Sequence, residues 1–384
     1  MIVLEEPFVS ETLIEWLVSS KHPVLDNAMA RRIAAAHDIA LCPESEAVDR
    51  IEAGERLYTS SENALAWVSS HVKAPSIVRP IEVFKDKALM RTVLAPLDPD
   101  FFFMSCSADE LSTLDFAELK PPFVLKPSVG FCSVGVYPIA DEGDWTAALA
   151  DIESNAATWR DMYPESVIGA SEFVLEGYIE GTEYAIDAYY DAEGKTHVLN
   201  VLRHDFANAA DTSDRAYCTS VAIVSETAPV FTAWLDRVNE YVGARNFPVH
   251  VEVRVRDGIV RPIEINPLRF AGLGGTDISW FAYGFRTYEH YLEGKTPDWE
   301  SLAAGRQGKL YVMSMLNGCP PDLTGDESFD YEAFCARFAR VLALRKMDYR
   351  KTASFGFLFF ETDEDDPTEL TFLMNTDFRE FITE

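Results

Sequence analysis

The run from Val249 to Pro267 (Val-His250-Val-Glu252-Val-Arg254-Val-Arg-Asp-Gly258-Ile-Val-Arg-Pro-Ile-Glu264-Ile-Asn266-Pro) sets acids, an amide and a histidine at alternate positions between valines and isoleucines. A period of two is that of a β-strand. The spacing predicts a hairpin closed by a three-residue loop, Arg256 to Gly258, with Gly258 in the left-handed region. That register pairs 255 with 259, 252 with 262 and 250 with 264. His250, Glu252, Arg254, Glu264 and Asn266 then share one face; Val249, Val251, Val253, Val255, Ile259, Ile263 and Ile265 form the core face. Two carboxylates and an amide side by side repel unless a cation joins them. Hard oxygen ligands of this kind suit Mg²⁺, which takes one or two carboxylates and completes its shell from phosphate and water. Taken alone, a Glu-x-Asn on a strand is more often a polar sheet face turned to solvent.

A second candidate lies upstream. Phe123-Val-Leu-Lys126-Pro reads as a strand, and Ser128-Val-Gly130-Phe-Cys-Ser133-Val-Gly135 follows as a loop with small residues. Gly130 and Gly135 have Walker A spacing, but Val136 stands where that motif needs Lys. Backbone N–H groups of such a loop still approach an anion closely, and Lys126 reaches phosphate as a point charge.

The elements that must position these groups are legible in outline. Residues 1–82 alternate short apolar runs with helical patterns, as in a small α/β domain. Asp86 opens a short helix holding Lys87 and Arg91, and Asp109–Leu119 and Trp145–Met162 read as helices. Further strands are expected at 172–176, 184–190, 309–315 and 354–361. The chain has 384 residues, 48% of them hydrophobic, and a net charge of −30. Such acidity excludes nucleic acid and anionic membrane surfaces as partners and requires local cations for any phosphorylated ligand. The six cysteines form no zinc or disulfide pattern, and a cytoplasmic location is the expectation.

Asp86-Lys87, Lys126-Pro with its glycine loop, Glu176-Gly-Tyr178-Ile179-Glu-Gly-Thr-Glu183, His250-x-Glu252 and Glu264-Ile-Asn266-Pro-x-Arg269, in this order, resemble the ATP-grasp superfamily. The resemblance covers about 84 to 295. It implies an α/β fold in which two α+β lobes hold ATP, with a Rossmann-like domain ahead and a strand-containing extension behind. The expected divisions are 1–82, 83–177 (small lobe), 178–298 (large lobe) and 299–384, the last packing on the large lobe.

It also implies roles. Lys87, Lys126 and the loop bearing Ser128, Gly130, Ser133 and Gly135 would hold the ATP phosphates. Glu176, Tyr178 and Ile179 would read adenine, and Glu183 the ribose. Glu252, Glu264 and Asn266 would hold Mg²⁺, with Mn²⁺ as substitute. Arg269 and His250 would be catalytic, although Leu268 intervenes where many relatives place the arginine directly after Asn-Pro. His250-x-Glu252 and Arg269-Phe-Ala-Gly272 look most like the L-amino acid ligases. The activity implied is ADP-forming ligation of a small carboxylate to an amine through an acylphosphate, in a protein for which a homodimer is plausible. Alternatives are a thiol or bicarbonate as co-substrate, or a catalytically silent nucleotide-binding module. The polar stretch Leu202–Thr219 reads as a loop that either supplies Arg203 or Arg215 to a substrate carboxylate, Asp205 to an amino group and His204 as a base, or is a solvated loop with incidental charges; Gly274 and Gly275 either form an anion-friendly turn near Arg269 or only cap a helix.

Overall fold

Short apolar runs alternating with helices build the first sheet of the computed structural model, which describes residues 1–129, 135–162, 172–208, 214–320, 322–352 and 354–383. Strands β1 (Ile2–Val3), β2 (Val24–Leu25), β3 (Leu41–Cys42) and β4 (Tyr58–Thr59) lie parallel in the order β3-β2-β1-β4. The crossovers are helices, as parallel strands require. Ser10 and Asn27 start two of them by accepting from Leu13 N and Ala30 N, which satisfies otherwise orphaned amides.

The second sheet holds β5 (Phe103–Ser107), β6 (Phe123–Pro127), β7 (Tyr137–Ile139) and β8 (Glu172–Gly177), antiparallel in the order β5-β8-β6-β7. The helix Glu142–Met162 covers it, packing Trp145, Ala148 and Ile152 on Phe123, Leu125, Phe173 and Leu175. The helix expected over 109–119 is cut short: only Ala108–Leu111 is helical, followed by a 3₁₀ turn at Phe116–Glu118. Ser112 and Thr113 hydroxyls bond back to Asp109 O and Glu110 O, and Asp115 caps the next turn. Such side-chain bonds compete with helix continuation.

The largest sheet contains β9 (Thr182–Tyr190), β10 (Thr196–Asp205), β11 (Ala216–Thr219), β12 (Phe247–Arg256), β13 (Ile259–Pro267), β14 (Lys309–Asn317), β16 (Arg340–Lys346) and β17 (Ser354–Asp363). Its order is β13-β12-β9-β10-β11-β14-β17-β16, while β15 (Ser328–Phe329) and β18 (Ile382–Thr383) pair separately. The helix Val221–Val242 buries Phe231, Leu235 and Val238 against a face that includes Ile186, Val201, Val249 and Val251. Alternation leaves Glu183, Asp187, His250 and Glu252 on the opposite face. Among the described residues no helix is long and apolar enough to cross a membrane.

The predicted hairpin forms, but its register is corrected. Asp257 (φ 53°) and Gly258 (φ 77°) make a two-residue turn, so Arg256 pairs with Ile259 and Val255 with Val260. An Asp-Gly pair favours the two-residue turn because both central positions need positive φ. Ile259 is therefore 48% exposed instead of core, and Val260 packs on the core in its place. A one-residue shift would send the acids to the wrong face. A bulge after Pro262 restores them, and Glu252 stands directly opposite Glu264 and His250 opposite Asn266.

Candidate active site

On the polar face of the hairpin, Asn266 Nδ2 donates to Glu264 Oε1 at 2.9 Å, and Lys87 Nζ lies 3.5 Å from Glu264 Oε2. His250 Nε2 lies 3.7 Å from Glu252 Oε1. Burial and the facing Glu264 push the Glu252 carboxyl up. Burial acts on Glu264 in the same sense, but Lys87 and Asn266 outweigh it and hold that carboxyl down. Two facing acids that resist joint ionisation are what a divalent cation relieves. Among the described residues no group of three or more His, Cys, Asp or Glu is placed to hold a metal ion. The donor set is thus two carboxylates and one carboxamide, which fits Mg²⁺ or Mn²⁺ completed by phosphate and water and does not fit a closed zinc site.

Asp86 and Ser128 bring the two lysines together. Asp86 caps the helix Lys87–Leu94 by accepting from Leu89 N at 3.0 Å, and the same oxygen accepts from Ser128 Oγ at 2.5 Å. Lys87 N donates to Ser128 O at 2.8 Å. The start of this helix is thereby joined to the end of β6, which carries Lys126. Glu176 on β8 accepts from Lys126 Nζ and, at 2.7 Å, from Arg91 Nε. Arg91 Nη2 also donates to Pro262 O at 2.6 Å, linking the small sheet to the hairpin. Burial raises the Glu176 carboxyl, but Lys126 and Arg91 outweigh it and hold it at about 2. Burial pulls Lys126 below its ordinary value, against the attraction of Glu176. Gly135 has φ 72°, in the left-handed region, where the chain returns to β7. Gly130 and Ser133 lie outside the described residues.

Glu183 is held from two sides: Oε1 pairs with His204 Nδ1 at 2.8 Å and Oε2 accepts from Arg254 Nε at 2.9 Å. Arg254 Nη1 donates to Ile179 O at 2.7 Å, and its guanidinium sits 5.5 Å from the Tyr178 ring. Tyr178 is itself exposed. Arg203, His204 and Asp205 belong to strand β10, not to the loop expected there. Strand alternation splits them: of these three, His204 alone shares the face of Glu183. Arg203 and Asp205 bond each other at 2.6 and 2.8 Å on the other side. Arg215 donates to Thr376 O at 2.9 Å and lies over the Phe378 ring, so it is engaged with the C-terminal segment.

Arg269 Nη2 pairs with Glu62 Oε1 at 2.8 Å, and Lys85 Nζ takes the other Glu62 oxygen at 2.8 Å. Burial raises Glu62, but Arg269 and Lys85 hold it at about 2. Leu268, the residue inserted before Arg269, is fully buried at φ 58°, with its N–H on Pro248 O and its carbonyl taken by Thr59 N. Gly274 (φ 72°) and Gly275 lie in the turn Gly272–Asp277, where Arg345 donates to Leu273 O at 2.9 Å and pairs with Asp277.

Four residues at this site were not candidates on sequence grounds. Arg91 carries a signal, one helical turn beyond Lys87. Arg254 was on the acid-bearing face already, and Asp187 has strand parity with Glu183. Glu62 carries no local signal, because only the fold brings residue 62 to residue 269.

Residues 119–277 match the sequence family of the ATP-grasp domain. Solved structures share the fold of this chain over its whole length. The L-amino acid ligase from Bacillus licheniformis superposes with a TM-score of 0.70 at 17% identity, covering 100% of this chain and 97% of that one. The N5-carboxyaminoimidazole ribonucleotide synthetase from Thermotoga maritima gives 0.60 at 16%, covering 100% and 98%. A biotin carboxylase from Campylobacter jejuni gives 0.60 at 12%, covering 94% and 87%. No curated protein matches the chain by sequence. These likenesses therefore carry the fold, at identities too low to carry a reaction or a substrate.

Proposed function

We propose that the protein is an ADP-forming ligase that couples a small carboxylate to an amine. The observation that carries this reading is the facing pair Glu252 and Glu264, with Asn266 beside it and Lys87 3.5 Å from Glu264. Phosphoryl transfer asks for positioned cations and an in-line acceptor more than for covalent help from the protein. Lys87 and Lys126 would hold phosphate oxygens, with the Ser128–Gly135 loop over them. Glu176, Tyr178 and Ile179 would bound the adenine, and Glu183 would take the ribose hydroxyls. Glu252, Glu264 and Asn266 would hold Mg²⁺, which supplies charge neutralisation at the phosphates when bound.

The substrate carboxylate attacks the γ-phosphorus, ADP leaves, and an acylphosphate forms. The amine then attacks its carbonyl carbon. The C–O bond to phosphate breaks, and the amine proton leaves with the phosphate. Arg269 and His250 serve as donors to oxygens that gain charge in these steps. His204 shares the face of Glu183, whereas Arg203 and Asp205 pair with each other on the far side of the sheet and are not offered to this site.

The test is ADP release from Mg-ATP across amino acids supplied singly and in pairs, with bicarbonate as a further arm and Glu264→Gln as the blank. ADP that appears only with a pair and vanishes in the variant supports the reading and names both substrates. ADP with bicarbonate alone replaces it by a carboxylating ligase. Bound ATP with no release from any arm replaces it by a nucleotide-binding module.

A further inference from the structure

Asp187 on β9 is fully buried and faces His250 across the strand pair. Its carboxylate accepts from three donors. Oδ1 takes His250 Nδ1 at 2.7 Å and Ala271 N at 2.9 Å, and Oδ2 takes Thr276 Oγ1 at 2.6 Å. Thr276 Oγ1 lies in turn 2.5 Å from Thr287 Oγ1. A carboxylate removed from water is costly unless its lone pairs are filled, and here they are.

The donors come from two separate parts of the site. One is the ring beside Glu252. The others begin and end the turn that comes after Arg269, a segment entering through the left-handed Leu268. Strand pairing fixes β9 against β12, but no ladder bond reaches residues 271–276; among the hydrogen bonds of the described residues, those joining this turn to β9 end on Asp187.

We infer that Asp187 is a positioning residue that fixes the His250 ring and the 271–276 turn relative to one another, and so sets where Arg269 stands with respect to the acid pair. Its effect on turnover rests on the ligase reading; the positioning does not. A neutral residue of the same shape replaces it only in part: an amide oxygen still faces His250 and Ala271 but without the charge, and its NH2 faces Thr276, whose hydroxyl must then turn to donate to Thr287 Oγ1.

Asp187→Asn tests this in the full chain by three readouts: hydrogen exchange of residues 268–277, Mg-ATP affinity by calorimetry, and ADP release. Losing hydrogen bonds to a charged acceptor predicts exchange of the 271–276 amides raised ~10-fold or more, and maximal turnover lowered ~10-fold or more. Mg-ATP affinity and the KM for ATP stay within about twofold, since the phosphate lysines sit on other elements. Thr276→Val removes one donor at constant shape and shifts exchange in the same direction by less, which keeps the test decisive where Asp187→Asn fails to fold. Unchanged exchange in a folded variant overturns the inference. So does a loss of ATP affinity in step with turnover and Tm, which would make Asp187 a general stability residue. A wild-type protein that releases no ADP with any substrate defeats the ligase reading instead, and the exchange result still decides the role of Asp187.

Discussion

Replacing Glu176 by Gln leaves Lys126 and Arg91 facing each other in a dry place beside the four-stranded antiparallel sheet. All three side chains are at most 5% exposed, so solvent screens the cluster little. The carboxyl drops from its ordinary 4.5 to about 2 in the folded protein, which at about 1.4 kcal/mol per tenfold change in proton affinity corresponds to about 3 kcal/mol. Removal of one partner from a buried ion pair falls in the same range, about 3–5 kcal/mol. The sign follows from a depressed folded value. The contribution is complete above 4.5 and is lost as pH falls through about 2. Wild type and Glu176→Gln should therefore differ by about 3 kcal/mol at pH 7 and by only about 1 kcal/mol at pH 3. The chain is too large for one two-state transition, so the readout is hydrogen exchange of β6 and β8 amides, combined with urea unfolding at both pH values. A difference under about 1 kcal/mol at pH 7, or an equal difference at both pH values, would refute the reasoning.

Glu264→Gln should lower ADP release ~100-fold or more, because it weakens an ion worth several kcal/mol to phosphoryl transfer; steady-state kinetics at saturating Mg²⁺ check this. Glu62→Gln leaves Arg269 and Lys85 without their shared anion, and with 14–17% exposure discounted it should cost about 2 kcal/mol at neutral pH, read by urea unfolding. That loss too should shrink as pH falls below 4.5 toward about 2, since the Glu62 carboxyl is also depressed. Gly181→Ala should cost over ~3 kcal/mol, because at φ 123° its Cβ would sit 2.3 Å from Val255 O. Gly243→Ala, at φ 78° with nothing within 4 Å, should cost only about 1 kcal/mol; equal melting temperatures for the two would contradict the contact argument.

What could be read from the sequence was whatever short-range periodicity encodes. The alternation around Glu252 and Glu264 reported a hairpin and its polar face, and Asp86 announced the helix that carries Lys87. The register escaped because it depends on a shorter turn at Asp257-Gly258 and on a bulge after Pro262, where a missing N–H loosens the ladder; the two offsets cancel in parity, which keeps the acids on the expected face. Arg203 to Asp205 read as a loop because they are polar, yet on a strand their polarity serves two faces, one toward Glu183 and one toward an internal ion pair. Glu62 with Arg269, and Asp187 with Thr276, are partners joined by the fold across long stretches of chain, and no local pattern marks such pairs.

The stretch that the sequence family recognises is not the unit that can stand alone. It begins after β5 and ends before β14, so cutting there would strip β8 of one neighbour and β11 of another. β11 has four residues, and among the described residues it is the strand that joins β10 to β14. An excised 119–277 fragment would present two raw backbone edges and the apolar faces once covered by Val312, Phe355 and Phe360, a combination that invites aggregation. Heredity and mechanics thus draw different borders on this chain. Domain transplantation should respect the eight-stranded sheet from β9 to β17, and a chimera that keeps the family stretch but exchanges the chain beyond residue 298 must rebuild the β11–β14 seam to remain soluble.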